Sequence, residues 1–224
     1  MRAVWIAPLV LAGCHAATVP PPRWESPHAN LLRTWAERKA DTRTCALLAA
    51  VDYEGPPRDR SFTLELFFRE PGVYLLRGRG TLGVEGFRAL VHGDSIVLIL
   101  ERQHRGFQGP ADSLPPATRQ LWLLLHDALP WLVGEQEDLE PARFEYAPDG
   151  NRPARLSVET DSVRLELEYA RYRDEYPFWH LRSATGSSSS ARLQLSIRQQ
   201  LYNPALDSAL FELDLPADVQ PLLD

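Results

Sequence analysis

Apolar and polar residues alternate along much of this chain with a period of two. The pattern is clearest in Phe62-Thr63-Leu64-Glu65-Leu66-Phe67-Phe68-Arg69, where even positions are apolar and odd positions mostly polar. Such a segment is a strand with one wet face, because successive side chains point to opposite sides. The same reading predicts strands from Thr44 onward, and over Phe87 to His92, Ile96 to Leu100, Arg143 to Tyr146, Arg155 to Glu159, Val163 to Tyr169, Phe178 to Arg182 and Ala191 to Ile197. Turn-forming groups separate them: Gly55-Pro56-Pro57, Pro71-Gly72, His92-Gly93-Asp94, Asp149-Gly150-Asn151 and Gly186-Ser187-Ser188-Ser189-Ser190. Connections this short predict an antiparallel meander, solvated on one face and in need of cover on the other.

Two stretches keep a helical period instead. Ser26-Pro27 predicts a helix start, after which Leu31, Leu32, Trp35 and Ala36 recur on one side with Arg33, Glu37 and Arg38 elsewhere, ending near Asp41. The second runs from Ala117 to Val133 behind Pro115-Pro116 and holds Leu121-Trp122-Leu123-Leu124-Leu125, Leu129, Trp131 and Leu132. His126-Asp127 and Pro130 interrupt it, and its apolar part is too short to span a bilayer. Each Leu or Trp left in water would forfeit about 1.5–3 kcal/mol. The stretch therefore predicts a helix, kinked at Pro130, inserted into or laid across the apolar face of a curved sheet.

With 224 residues, 44% hydrophobic and 24% charged, the composition fits one sizeable globular domain. The formal net charge of −6 supplies no basic stripe, so nucleic acid is not an expected partner. Arg2 is followed by the apolar stretch Ala3 to Leu11, broken by Pro8, which reads as a signal peptide. It ends in Leu11-Ala12-Gly13-Cys14, which resembles the lipobox of bacterial lipoproteins. The resemblance implies cleavage before Cys14 and acylation of its thiol, fixing the chain to a membrane. The expected organisation is a signal peptide over 1–13, a lipidated Pro-rich tether over 14–27 and a single domain over 28–224. Cys45 lies in the apolar run Cys45 to Val51 and is expected as a buried free thiol, since lipidation consumes its only possible disulfide partner.

Three segments in order, Glu70 to Gly78, Gly80 to Glu85 and Leu90 to Ile96, are similar to the lipoprotein-localisation (Lol) carrier and receptor superfamily. The anchored form is closer to the receptor, and Phe211-Glu212-Leu213-Asp214-Leu215-Pro216 resembles the family's last strand. The resemblance implies a mainly β (α+β) fold: an incomplete antiparallel β-barrel, or strongly curved sheet, with helices covering or filling the apolar concave face. It also implies a protruding loop whose apolar tip touches the membrane, with Thr81-Leu82-Gly83-Val84 as the counterpart here.

A bound acyl chain would meet the apolar face: Phe62, Leu64, Leu66, Phe68, Tyr74, Leu76, Phe87, Val91, Leu165, Leu167, Leu195 and Ile197, with Trp122 and Leu125 from the helix. Each also reads as plain core, because alternation tells which side faces inward and not whether space remains there. Gly93-Asp94-Ser95-Ile96 is similar to the signature of a lipase-like hydrolase family. Here it joins two strands, no helix follows Ser95 and no Asp-x-x-His lies near the C-terminus, so a hairpin turn is expected. The histidines at 15, 28, 92, 104, 126 and 180 form no metal-binding spacing, and neither a metal nor a cofactor is expected. Glu166, Glu168 and Asp174-Glu175 lie among arginines, as on a solvated sheet face with cross-strand charge pairs.

The leading expectation is a non-enzymatic lipoprotein of the bacterial envelope that shelters acyl chains or lipoproteins in its half-barrel and acts in envelope lipoprotein or lipid transport. His15, rather than an aspartate, after the lipidated residue favours the outer membrane, facing the periplasm. A second reading has a filled core and a solvated face that recruits an envelope protein partner. A third, enzymatic one needs Ser95 to meet His104 or His180.

Overall fold

Period-two alternation produces strands here wherever it is strong. The computed structural model describes residues 26–56, 58–80, 82–136, 139–140, 142–147, 153–160, 163–169 and 180–222. The expected signal peptide, Cys14 and the tether as far as Glu25 lie outside the described residues. So do Pro57, Thr81, Asp149-Gly150-Asn151, Asp174-Glu175 and the start of the strand expected over Phe178 to Arg182.

The strands are β1 (Thr44–Glu54), β2 (Arg60–Arg69), β3 (Val73–Arg79), β4 (Glu85–His92), β5 (Ser95–Leu100), β6 (Arg105–Pro110), β7 (Ala142–Tyr146), β8 (Pro153–Glu159), β9 (Arg164–Tyr169), β10 (Leu181–Ser187), β11 (Arg192–Tyr202) and β12 (Gln220–Pro221). They join in one twelve-stranded sheet of order β12-β6-β5-β4-β3-β2-β1-β11-β10-β9-β8-β7. Pairing is antiparallel except for the short parallel contact of β12 with β6. The curved sheet stays open, with β12 and β7 at its ends, which is the incomplete barrel expected.

Register stacks the inward side chains. Leu47 lies opposite Leu66, Leu66 opposite Leu76, Leu76 opposite Ala89 and Ala89 opposite Leu98, all of them buried. Between β1 and β11 the register shifts, so that Leu48 pairs with Gln199 and Ala49 with Ile197 while Arg198 is skipped. This bulge switches the inward parity from Leu193, Leu195 and Ile197 to Gln200 and Tyr202. The alternation read from the sequence stops at Ile197 for that reason, although the strand continues to Tyr202.

Helix α1 (Pro27–Asp41) starts at Ser26, whose Oγ accepts from the Ala29 N–H at 3.2 Å. Its buried stripe is Leu31, Thr34, Trp35 and Arg38, whereas Leu32 and Ala36 are exposed, which corrects the expected face by a fraction of a turn. Arg38 is fully buried, donates to the Tyr202 hydroxyl and lies over the rings of Trp35 (5.5 Å) and Tyr202 (4.8 Å). These contacts offset part of the several kcal/mol that burying a cation costs. Cys45, packed nearby, is a buried free thiol, and burial pushes its pKa up to about 12.

Helix α2 (Pro116–Val133) is the greasy helix, and Leu124, Leu125, Ala128, Leu129, Leu132 and Val133 bury it against the inner face of the sheet. Pro130 stands in its last turn and the helix runs on to Val133, where Gly134 caps it at φ +82°. Gln200, a buried polar residue, is fully used: Nε2 donates to the Leu132 carbonyl at 2.8 Å and Oε1 accepts from the Leu181 N–H at 2.9 Å. Trp131 meets Trp35 edge-on at 6.0 Å, so both helices close on the same end of the sheet.

The expected final strand over Phe211 to Pro216 does not form. Ser208–Phe211 is a 3-10 turn, and Glu212 to Pro216 carries no sheet pairing. The segment instead crosses the outer face, where Arg69 lies 4.5 Å from the centre of the Phe211 ring and Leu215 and Val219 occupy the space above Gly106. Apolar residues on the outward parity, Leu75 and Ile99, are buried there and explain the cover. Elsewhere the outer face is charged as expected, with Arg155 of β8 bridging Glu168 of β9 at 3.0 Å.

Asn203 joins α1, β1 and β11. At φ +53° its Oδ1 accepts from the N–H groups of Arg43 (2.8 Å) and Thr44 (3.3 Å), and its Nδ2 donates to the Asp41 carbonyl (2.8 Å). Asn203→Ala forfeits these bonds and disfavours the left-handed backbone, so stability should fall by about 1–3 kcal/mol in urea unfolding. An unchanged midpoint would contradict this account of the junction.

Candidate functional site

The connections β1–β2, β3–β4 and β5–β6 all lie at one end of the sheet, and there the first turns of α2 stand off the inner face. Between them is a cavity of about 220 Å³, walled by Phe87 and Ala89 of β4, Leu98 and Leu100 of β5, Leu121, Trp122 and Leu125 of α2, Tyr53 of β1 and the C-terminal Leu222. It adjoins a wider cleft of about 660 Å³ that shares Arg60, Phe87, Leu100, Gln103 and Leu121 with it. The cavity alone is small for a ligand pocket; joined to the cleft it falls within the usual range of about 300–1,000 Å³.

Small residues create the space. A Cβ on Gly78 would come within 2.0 Å of the Phe87 ring, so the glycine lets Phe87 lie across β3, where it meets Phe62 edge-on at 5.7 Å. In the row of inward leucines, Ala89 withdraws volume directly beneath α2.

Of the wall residues expected from the sequence, Phe87, Trp122 and Leu125 line the cavity and Phe62 lines the cleft. Leu64, Leu66, Phe68, Tyr74, Leu76, Val91, Leu165, Leu167 and Leu195 are buried in the packed core, and Ile197 is half-buried against it. None of these ten lies in the walls of the cavity or the cleft. Tyr74 instead donates from its hydroxyl to Glu135 at 3.1 Å, with its pKa raised chiefly by burial. Sequence reasoning missed Tyr53, Ala89, Leu98, Leu100, Leu121 and Leu222. Leu98 shares the parity of Ile96 and Leu100, and Leu121 opens the apolar run, so both carried a signal.

The polar groups are concentrated at the mouth. Arg58, Arg60 and Arg102 line the cleft, and their guanidinium groups make no ion pair or hydrogen bond among the described residues. Arg79 and Arg88 on the neighbouring strands are neutralised by Glu65 at 3.3 Å and Glu101 at 2.6 Å. Asp59, also in the cleft, accepts from the Gly55 N–H at 3.1 Å, and the Tyr53 hydroxyl donates to the Pro56 carbonyl at 2.7 Å. Trp122 stands in the cavity wall, and its indole N–H is buried with no hydrogen-bond partner among the described residues, a state that costs about 1–3 kcal/mol. The β3–β4 turn beside the mouth exposes Leu82 (90%) and Val84 (54%).

No hydrolytic group assembles around Ser95. Ser95 pairs with Pro110 at one end of the β5–β6 hairpin, while His104 follows Leu100 at the other, about 17 Å away along the strand. His180 packs against Tyr202 at 5.6 Å, beyond β1 in the sheet order. Among the described residues no three His, Cys, Asp or Glu side chains group to hold a metal, and no helix is long and apolar enough to cross a membrane.

No protein-family model and no curated protein matches the chain. Solved structures do. A DUF1329 family protein from Desulfovibrio piger superposes with a TM-score of 0.50 at 10% identity, covering 83% of this chain and 95% of that one. An outer membrane lipoprotein-sorting protein domain from Vibrio parahaemolyticus matches at 0.46 and 14% identity, over 80% of this chain and 95% of its own. A LolA superfamily protein from Nitrosomonas europaea matches at 0.46 and 7% identity, over 81% and 97%. At 10% identity the likeness to the Desulfovibrio piger protein is one of fold alone.

His126, on the exposed flank of α2, ties the helix to the β4–β5 turn. Its Nδ1 stands 3.5 Å from Asp127, which raises its pKa, with the Gly93 backbone and Asp94 adding to the effect against burial. A histidine held above its unfolded value of about 6.5 adds stability that is fully present below that pH and is lost as pH rises through the folded value. The melting temperature should therefore decline between about pH 6 and pH 8 more steeply in the wild type than in His126→Gln. Equal slopes would contradict this role for His126.

Proposed function

We propose that this protein is an envelope lipoprotein, fixed to a membrane through acylated Cys14, that shelters acyl chains of lipids or lipoproteins in the cavity beneath α2. The observation that carries the reading is unfilled apolar space between helix and sheet, open at one end into a cleft. Two further features support it. Leu82 and Val84 place an aliphatic tip beside that opening, where insertion into a bilayer would remove their apolar surface from water. The Pro-rich segment over 14–27 separates Cys14 from the domain, a spacing that suits a tether between membrane and mouth. The role is non-enzymatic binding in envelope lipid or lipoprotein transport, at the outer membrane and facing the periplasm.

Full-length protein extracted from its host membrane and examined by native mass spectrometry should carry acyl lipid. Leu121→Trp, which fills the junction of cavity and cleft, should reduce the loaded fraction several-fold while the protein stays folded. Repeated recovery of lipid-free wild type, or undiminished loading of Leu121→Trp, would count against the reading.

A further inference from the structure

We propose that the cleft selects anionic lipids, its arginines Arg58, Arg60 and Arg102 receiving the charged headgroup while an acyl chain occupies the cavity. The inference rests on the acyl-binding reading above and adds the chemistry of the head to it.

Charge is the first argument. In a chain of net charge −6, the cleft gathers three arginines against the single carboxylate of Asp59. An anion is repelled by most of this molecule and drawn to this opening. Asp59 is already engaged by the Gly55 N–H, and the arginines have no carboxylate within 4.0 Å among the described residues. Arg79 and Arg88, on strands beside them, are neutralised, so the mouth keeps positive charge where its surroundings do not.

Position is the second. Arg60 lines both cavity and cleft, so it stands where a chain seated under α2 emerges into the open. Arg58 comes from the β1–β2 connection, Arg60 from the start of β2 and Arg102 from the turn after β5, so two separate segments supply the charge. Guanidinium groups suit phosphate and carboxylate oxygens, which accept two parallel N–H bonds from one fork. A charged head at the mouth and a hydrocarbon chain beneath α2 together describe an anionic acyl lipid.

The test uses the full chain in phosphatidylethanolamine vesicles containing equal small fractions of phosphatidylglycerol or phosphatidylcholine, each with a photoreactive diazirine at its chain end. Adducts on the cavity peptides bearing Leu98 and Leu125 should favour phosphatidylglycerol by about fivefold, the scale of one partly exposed ion pair. Arg60→Gln with Arg102→Gln should bring the ratio near one without loss of phosphatidylcholine labelling, and Lys at both positions should keep the preference. Equal labelling by the two lipids in the native protein would overturn the headgroup assignment and leave acyl binding standing. Absence of cavity adducts with either lipid would overturn both. Equal labelling by the two lipids, together with saturable binding of inorganic phosphate that the Gln variant loses, would assign the arginines to a free anion and overturn the lipid headgroup.

Discussion

The inner face of a twelve-stranded open sheet is apolar along its whole width, and α2 has to cover it. That requirement explains why α2 is greasy almost all round, and why its interruptions fall at the exposed His126-Asp127 flank and the last turn rather than in the middle of its buried face. The two ends of the helix are held differently. At its C-terminal end Gln200 grips the Leu132 carbonyl, Trp131 meets Trp35, and Gly134 packs so tightly on Arg38 that a Cβ there would lie 2.6 Å from the guanidinium. At its N-terminal end the sheet offers only Ala89 beneath it, and open space takes the place of contact. One helix thus seals one end of the half-barrel and leaves the other ajar.

Arg38 marks the sealed end chemically. A fully buried cation among Trp35, Tyr202 and Cys45 is tolerated because two ring faces and a hydroxyl surround it, and it raises the cost of separating α1 from β11. Rigidity is therefore concentrated away from the cavity, while the groups that suit a ligand sit at the opposite end: the arginines and the exposed Leu82.

Most of the fold was legible in the sequence because one-sided alternation leaves few arrangements other than an antiparallel sheet with a covered face. The strand over Phe62 to Arg69, the helix ending at Asp41 and the greasy helix stand where the periodicity placed them. What escaped depended on events that alternation does not encode. The bulge at Arg198 extended β11 past its pattern, and Arg38 was buried by aromatic faces contributed from elsewhere. Phe211 to Pro216 resembled a strand but was drawn onto the outer face by Leu75 and Ile99. The site was less legible than the fold. Leu64 and Phe87 both face Gly78 across the ladder on the inward parity, yet only Phe87 faces empty space, because its ring lies over that glycine on the strand that also carries the small Ala89 under the helix.

The account stands on a hydrocarbon chain lying between α2 and β4–β5. Selective methyl labelling of leucines, with nuclear Overhauser effects measured to the methylenes of a bound fatty acid, tests it most directly. The cavity methyls of Leu98, Leu125 and Leu222 should show these effects and the core methyls of Leu66 and Leu167 should not; effects confined to the exposed Leu82, or seen at no cavity methyl, would contradict it.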